Sequence, residues 1–573
     1  MRKSIIKKWL AVLAGTALLL GGCKQYVPPA ETPVPSPEET AETASETNGD
    51  IVILYTSDIH CGIKDGMGLE SLVDLRKKLE DNGTVTILVD NGDAVQGDAI
   101  GTISKGDSII KVMNEADYDI AIPGNHEFDY GMDEFMALTE KADFPYISCN
   151  FTHNGELVFE PYLIKEAGGK KIAFIGATTP TTLTNSSPDH FKDENGNFVY
   201  DFLYDDTCDK LVNAIQGYVD EVRGKGADYV ILLAHIGNKE VDYPFNFQTI
   251  IERTSGIDAV LDGHSHDTDQ VKMNNKDGVP TIRSACGTKM EAIGYLQIPA
   301  DDSGLQFGLM SWHNDETVPV LFHLHNSLTD VINTEYEGLE NSLKEKIGET
   351  PYDLLITDPE KKGTDGKSIR IVRSQETNLG DLICDAIKEE TEAQIVMYNG
   401  GGIRDSIKAG DITYGDIMRV MPFTNDICVS EVTGQQVLDA LEWGAAYVPG
   451  ENGGFMQVAG LTYEIHADIP SSCSIDTQGM FASVDGEYRV KNVTVGGEPL
   501  DLNKKYTVAG NDFIMKKDGN GYTMFREEDV VQDQIKMDNK ALMDYLQNTL
   551  NGVVPEKYSN PYGDGRIVIT GVE

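Results

Sequence analysis

The sequence predicts an α/β protein built of two folded domains. Three observations predict it. The chain has 573 residues, more than one hydrophobic core organises. Its first half alternates short β-rich runs with helix-like apolar spacing. And those runs repeatedly end on Asp, Asn or His. A hydrophobic content of 40% and an aromatic content of 8% belong to a globular chain rather than a disordered one.

The first folded region is expected over residues 49–316, as a layered α/β domain. Its candidate strands are 51–56, 84–89, 172–175, 229–234 and 259–261. Residues 69–79 and 210–222 carry apolar residues at helical spacing. Residues 51–56 run into Ser57-Asp58-Ile59-His60, and 84–89 into Asn91-Gly92-Asp93. Residues 119–122 lead to Gly124-Asn125-His126-Glu127, 229–234 to His235, and 259–261 to Gly263-His264-Ser265-His266. The carboxyl edge of an α/β sheet is where sites are built.

The chemistry of these residues is coherent. Imidazole and carboxylate together suit zinc, manganese, cobalt or iron better than calcium, which takes oxygen ligands. Asp58 and His60 are two apart, as are His264 and His266, so in extended chain each pair faces one side. The glycines in Gly92-Asp93, Gly124-Asn125 and Gly263-His264 allow tight turns and close backbone approach.

The N-terminus reads as a targeting segment. Arg2, Lys3, Lys7 and Lys8 precede an apolar run over 9–20, too short for a comfortable bilayer span. The run ends in Leu20-Gly21-Gly22-Cys23, which resembles the bacterial lipobox. Residues 1–23 are therefore expected to be a lipoprotein signal peptide whose cysteine becomes the lipidated anchor. Residues 24–48, rich in Pro, Glu, Thr and Ser, read as a flexible tether. The expected location is the cell membrane, facing the extracytoplasmic side. The other seven cysteines form no CxxC pair and are expected as buried thiols. A net charge of -46 argues against nucleic-acid duplex binding, and no obligate protein partner is evident.

The ordered set DxH, GD, GNH, H, GHxH resembles the calcineurin-like metallophosphatase family. The resemblance implies a four-layer metallophosphatase β-sandwich flanked by helices. It implies two divalent metal ions, one held by Asp58, His60 and His266, the other by Asn125, His235 and His264, with Asp93 bridging. Asp90 competes in the same loop, but Asp93 directly follows the glycine. His126 is the implied catalytic residue outside the metal ligands, with Asp129 orienting its ring.

Residues 317–350 are expected to link the domains; 327–350, charged and poor in apolar residues, read as an exposed helix. A second, α+β domain is expected over 351–573. Its Asn378-Leu379-Gly380-Asp381-Leu382, Asn399-Gly400-Gly401-Gly402-Ile403-Arg404, Pro422-Phe423 and Asn511-Asp512-Phe513 resemble the C-terminal domain of the 5′-nucleotidase family. By that resemblance Arg373, Asn399, Arg404, Phe423, Asn425 and Phe513 line the nucleoside side of a pocket. Guanidinium forks hold phosphate, and the two rings can clamp a flat base. The family's GGDGY loop is altered here: Asn520 stands where its ribose-binding aspartate is expected, with Asp518 nearby.

The implied function is extracytoplasmic 5′-nucleotidase activity, nucleoside 5′-monophosphate to nucleoside and phosphate. A nucleotide-sugar hydrolase and a 2′,3′-cyclic-nucleotide phosphodiesterase share the metal site and stand as alternatives. A nucleotide-binding surface lipoprotein without turnover is the non-enzymatic one; a broken ligand set would favour it, and the set is complete. With the metals in one domain and the base clamp in the other, catalysis requires the two to meet across a cleft.

Overall fold

The computed structural model describes residues 50–193, 195–239, 241–301, 303–311, 326–337, 339–363 and 368–571. The expected signal peptide, lipidated Cys23 and tether lie outside the described residues. Among those residues, no helix is long and apolar enough to cross a membrane.

The first domain is a sandwich of two sheets. One has the strand order Gln306–Met310, Ile293–Ile298, Ile51–Thr56, Val85–Asp90, Ile120–Ala121. Ile51–Thr56 runs parallel to Val85–Asp90, with Thr56 opposite Asp90. The other sheet has the order Thr268–Asn274, Pro280–Cys286, Ala259–Asp262, Tyr229–His235, Lys170–Thr178, Tyr162–Ala167. Its four inner strands are parallel. Both sheets thus send their carboxyl ends to one edge.

Alternation decides which side chains meet between the sheets. Ile51, Ile53, Tyr55, Ile87 and Val89 from the first share one core with Ile172, Phe174, Ile231, Leu233, Ala259 and Leu261 from the second. Burying each large aliphatic side chain contributes roughly 1.5–3 kcal/mol. The strands are apolar on both faces because helices cover the outer ones. Leu69–Asp81 buries Leu72, Leu75 and Leu79, and Asp209–Gly224 buries Leu211, Ile215, Val219 and Val222. Helix, sheet, sheet and helix make the four layers the resemblance implied.

The second domain centres on a five-stranded sheet, ordered Met456–Ala459, Ile395–Asn399, Lys505–Asn511, Ile427–Thr433, Val530–Gln532. Ile395 and Met397 enter one core and Val396 and Tyr398 another, so this sheet is buried on both sides. Helix Asn378–Thr391 covers one side; the Thr377 hydroxyl caps it by accepting from the Gly380 amide at 3.1 Å.

The connector differs from expectation. It forms two helices, Ser327–Tyr336 and Leu339–Leu343, and then a strand, Lys346–Thr350, that pairs with Gly410–Thr413 of the second domain. The first helix is docked rather than exposed. Leu328 and Ile332, one turn apart, are buried, and Ser108 Oγ donates to Glu335 Oε2 at 2.7 Å. Two apolar residues at the right spacing suffice to dock a short helix whose other faces are charged. Cys61, Cys149, Cys208, Cys286, Cys384 and Cys428 are buried free thiols, and Cys473 is a half-buried one.

Tyr55 ties the two sheets together. It is fully buried, and its hydroxyl donates to Ser284 Oγ on the opposite sheet at 2.6 Å. The ring lies over Gly294, where an added Cβ would fall 2.0 Å from its Cζ. Gly294→Ala should therefore destabilise the fold by roughly 1–3 kcal/mol through overpacking. Urea unfolding of the two proteins checks this, and an unchanged midpoint would show that the ring can shift freely.

Candidate active site at the strand ends

The strand ends gather the expected residues into two sets. Asp58, His60 and His266 form one and Asp93, His235 and His264 the other; within each, the atoms able to ligate lie within 4.8 Å of one another. Asp93 stands between the sets. Its Oδ2 is 3.1 Å from His235 Nε2 and 3.9 Å from His60 Nε2, and its Oδ1 accepts from the His126 amide at 2.8 Å. Asp90 is engaged elsewhere: it accepts from Thr56 Oγ1 at 2.7 Å and from the Gly92 amide at 3.0 Å.

These donors fit divalent cations. His60 Nδ1 lies 2.7 Å from the Gln96 carbonyl, and His235 Nδ1 lies 2.7 Å from that of Asn91. In each ring Nδ1–H donates to the carbonyl, leaving a lone pair on Nε2, as metal ligation requires. His60 Nε2 then meets His266 Nε2 at 3.2 Å, a contact between nitrogens that calls for a cation. Burial pushes both imidazoles well below their usual range, keeping them neutral. Burial disfavours both charges of the Asp93–His235 contact too. The pair nonetheless holds the carboxylate low and the imidazole up at about 10, so a positive charge, proton or metal, belongs between them. Asn125 Oδ1 is buried without a hydrogen-bond partner among the described residues.

Glu127 was not singled out by the sequence. Its buried carboxylate accepts from the amides of Asp93 at 2.8 Å, Gly124 at 2.6 Å, Ala94 at 2.7 Å and Val95 at 3.3 Å. It therefore clamps the Gly92-Asp93 loop to the Gly124-Asn125 loop. Its place inside Gly124-Asn125-His126-Glu127 was a readable signal. The glycines matter here as well: a Cβ on Gly124 would lie 2.3 Å from Asp93 Oδ1. Backbone strain is concentrated at the same points, with φ of 50° at Asp58, 46° at His60, 59° at Asp93, 77° at His264 and 56° at His266.

His126 Nδ1 lies 2.5 Å from Asp129 Oδ2, and Asp129 Oδ1 accepts from Ser186 Oγ at 3.1 Å. The His126 ring is 5.8 Å from that of Phe423, so the second domain reaches the site. One cavity of about 330 Å³ is lined by Asp93, Asn125, His126, His264 and His266 from the first domain. From the second it takes Arg370, Arg373, Asn399, Arg404, Phe423, Asn425, Phe513 and Asn520. Arg370, paired with Glu451 at 2.6 Å, was absent from the sequence reading; nothing in its local motif marks it. Burial, with Arg370 and Arg404 beside it, pushes the Arg373 guanidinium well below its usual range, and burial brings Arg404 down to about 10. Arg404 also lies over the Phe423 ring at 5.7 Å.

The altered loop resolves into two separate tasks. Asn520 lines the cavity, and its Oδ1 accepts from Asn399 Nδ2 at 3.2 Å. Asp518 instead pairs with Lys192 of the first domain at 2.9 Å.

Two sheets that deliver paired imidazole and carboxylate sets at one edge define a metallophosphatase. The comparisons agree and go further. Residues 51–268 match the calcineurin-like phosphoesterase family, and residues 356–527 match the 5′-nucleotidase C-terminal domain. The chain belongs to the 5′-nucleotidase family, which joins these two domains, and is a metal-dependent phosphoester hydrolase. It is 28% identical to the trifunctional nucleotide phosphoesterase protein YfkN of Bacillus subtilis, covering 88% of this chain but 34% of that one, so it spans about a third of that relative's length. It is 27% identical to the 5′-nucleotidase of Vibrio parahaemolyticus, covering 87% of this chain and 91% of that one. The crystal structure of the 5′-nucleotidase precursor from Thermus thermophilus superposes with a TM-score of 0.74 at 25% identity, covering 91% of this chain and 100% of that one.

The Glu127 clamp is directly testable. Glu127→Ala leaves buried amides without an acceptor and should cost on the order of 1–3 kcal/mol for each orphaned donor. Glu127→Gln keeps one accepting oxygen and should cost less. Chemical denaturation of both variants measures this, and equal, negligible losses would mean the amides find other acceptors.

Proposed function

We propose that the chain hydrolyses nucleotide phosphate esters, converting a nucleoside 5′-monophosphate to nucleoside and phosphate, at a dinuclear metal site outside the cytoplasm. The observation that carries this reading is the shared cavity. Asp93, His264 and His266, members of the two imidazole and carboxylate sets, line it together with three arginines and two phenylalanines. The nucleotide specificity also draws support from the relatives named as 5′-nucleotidases.

In this reading Asp58, His60 and His266 would hold one ion, Asn125, His235 and His264 would hold the other, and both would share Asp93. Two such cations would supply Lewis-acid neutralisation of the phosphoryl oxygens and ionisation of water near neutral pH. Arg370, Arg373 and Arg404 orient the phosphate through forked donors. Asp129 accepts a hydrogen bond from His126 Nδ1–H, and a second proton carried on Nε2 is the one the ring would deliver to the departing nucleoside oxygen. Phe423 and Phe513 hold the base between their faces, and Asn399, Asn425 and Asn520 offer hydrogen bonds to the ribose hydroxyls. Asparagine at 520 makes that last contact without the charge an aspartate would bring.

Export and lipid anchoring through Cys23 rest on the basic start, the short apolar run and Leu20-Gly21-Gly22-Cys23. A cell wall protein of Listeria monocytogenes, 25% identical over 89% of this chain and 68% of its own length, is consistent with a surface location.

Purified protein should release phosphate from adenosine monophosphate. A chelator should abolish the activity, and manganese, cobalt or zinc should restore it. His126→Ala should bind metal as the wild type does but turn over roughly 10²–10⁴-fold more slowly. Loss of metal with full activity per bound ion would reverse the assignment.

Phe423→Ala or Phe513→Ala should weaken nucleotide binding by roughly 1–3 kcal/mol. A nitrophenyl phosphate, which has no base to stack, should lose much less. Parallel losses on both substrates would reassign the rings to the core.

A further inference from the structure

Two of the imidazoles just described are fixed by backbone carbonyls at Nδ1; His264 is not. Its Nε2 is buried and makes no hydrogen bond among the described residues, and the carboxylate oxygen it approaches is Asp242 Oδ2 at 3.4 Å, an ion-pair distance. We infer that Asp242 is a positioning residue for the second metal site, acting through His264. It accepts the Nε2 proton, fixes the ring, and leaves the lone pair on Nδ1. The inference rests on the dinuclear reading above and adds a residue outside its ligand set.

Asp242 is built for this task. It is 7% exposed, and among the described residues no lysine or arginine pairs with it. A buried carboxylate without a cationic partner is costly unless it serves an ionic neighbour. The hydroxyls of Thr179 and Thr181 both donate to its Oδ2 and hold the carboxylate in place. Thr179 follows strand Lys170–Thr178, and its amide donates to the His235 carbonyl at 2.8 Å. The Asp242 amide donates to the Asn238 carbonyl at 3.1 Å, three residues past His235. Asp242 is thus tied to two strand ends and reaches the histidine delivered by a third. A carboxylate on the far nitrogen of a ligating imidazole raises its basicity and holds its orientation.

The test reads metal directly. Chelator-stripped protein is titrated with manganese by calorimetry, and bound metal is counted by mass spectrometry. Wild type should take up two ions. Asp242→Asn should weaken one of them by roughly 10–100-fold and leave the other within about twofold. Asp242→Glu should recover part of that loss. The double variant Thr179→Val with Thr181→Val keeps the carboxylate but not its donors, and should show a smaller loss at the same ion. Thermal melts of the stripped proteins accompany each titration. Wild-type affinity for both ions in Asp242→Asn would overturn the inference. So would an equal loss at both sites together with a lowered melt of the stripped protein. Uptake of a single ion by the wild type would overturn the dinuclear reading instead, and the inference on Asp242 would then be decided by whether Asp242→Asn weakens that ion.

Discussion

Burial of carboxyl groups is the constraint on which the rest of the site depends. Asp58, Asp90, Asp93 and Glu127 are each 1% exposed or less and belong to neighbouring loops. Each is compensated differently. Glu127 is satisfied by backbone amides, and Asp90 by a hydroxyl and an amide. Asp58 accepts from the His264 amide at 3.1 Å and Asp93 leans on His235 at 3.1 Å, and both remain next to further imidazoles. The two carboxyl groups satisfied by amides and a hydroxyl, with no imidazole paired to them among the described residues, have become structure. The two facing imidazoles are the ones free to share a cation.

Holding them there strains the chain. Five residues of the two sets have left-handed φ, a region non-glycine residues adopt at a cost of roughly 1 kcal/mol or more each. The strain is affordable because it sits at the ends of strands whose interiors are deeply buried, as in Ile51–Thr56, where all six residues are buried. The rigid sandwich fixes the strand ends, and the Glu127 clamp and the glycine contacts fix the loops between them. The folded core and the site geometry are therefore one energetic problem.

That division explains what the sequence could reveal. The five strands expected in the first domain were legible to within a few residues, whereas Tyr162–Ala167, Thr268–Asn274, Pro280–Cys286, Ile293–Ile298 and Gln306–Met310 were not read. Residues 84–89 became Val85–Asp90, and 229–234 became Tyr229–His235. The DxH, GD, GNH and GHxH residues were legible because local spacing carries them. Asp242 and Arg370 were not, since their meaning comes from partners remote in the chain: Thr179 and His264 for one, Glu451 for the other. The docked connector helix rests on only two apolar residues, too few to outweigh its charges in a composition-based reading. The second domain's sheet order was equally hidden, because Met456–Ala459 lies beside Ile395–Asn399 across a long separation in sequence.

The cavity joins two domains of opposite local character. The first brings carboxylates and imidazoles, which attract cations. The second brings Arg370, Arg373 and Arg404, which attract anions, in a chain whose net charge of -46 repels them everywhere else. Arg373 is the sharpest case. It is buried, and its Nε has no hydrogen-bond partner among the described residues. Desolvating a guanidinium that no carboxylate pairs with costs several kcal/mol, which an incoming anion can repay. A phosphate satisfies both halves at once, because its oxygens can face cations on one side and guanidinium donors on the other. Phe423, set between His126 at 5.8 Å and Arg404 at 5.7 Å, marks the point where the two halves meet. An organic group attached to that phosphate has a ring to rest on only when both domains are in place, so the site is a property of their junction and of neither domain by itself.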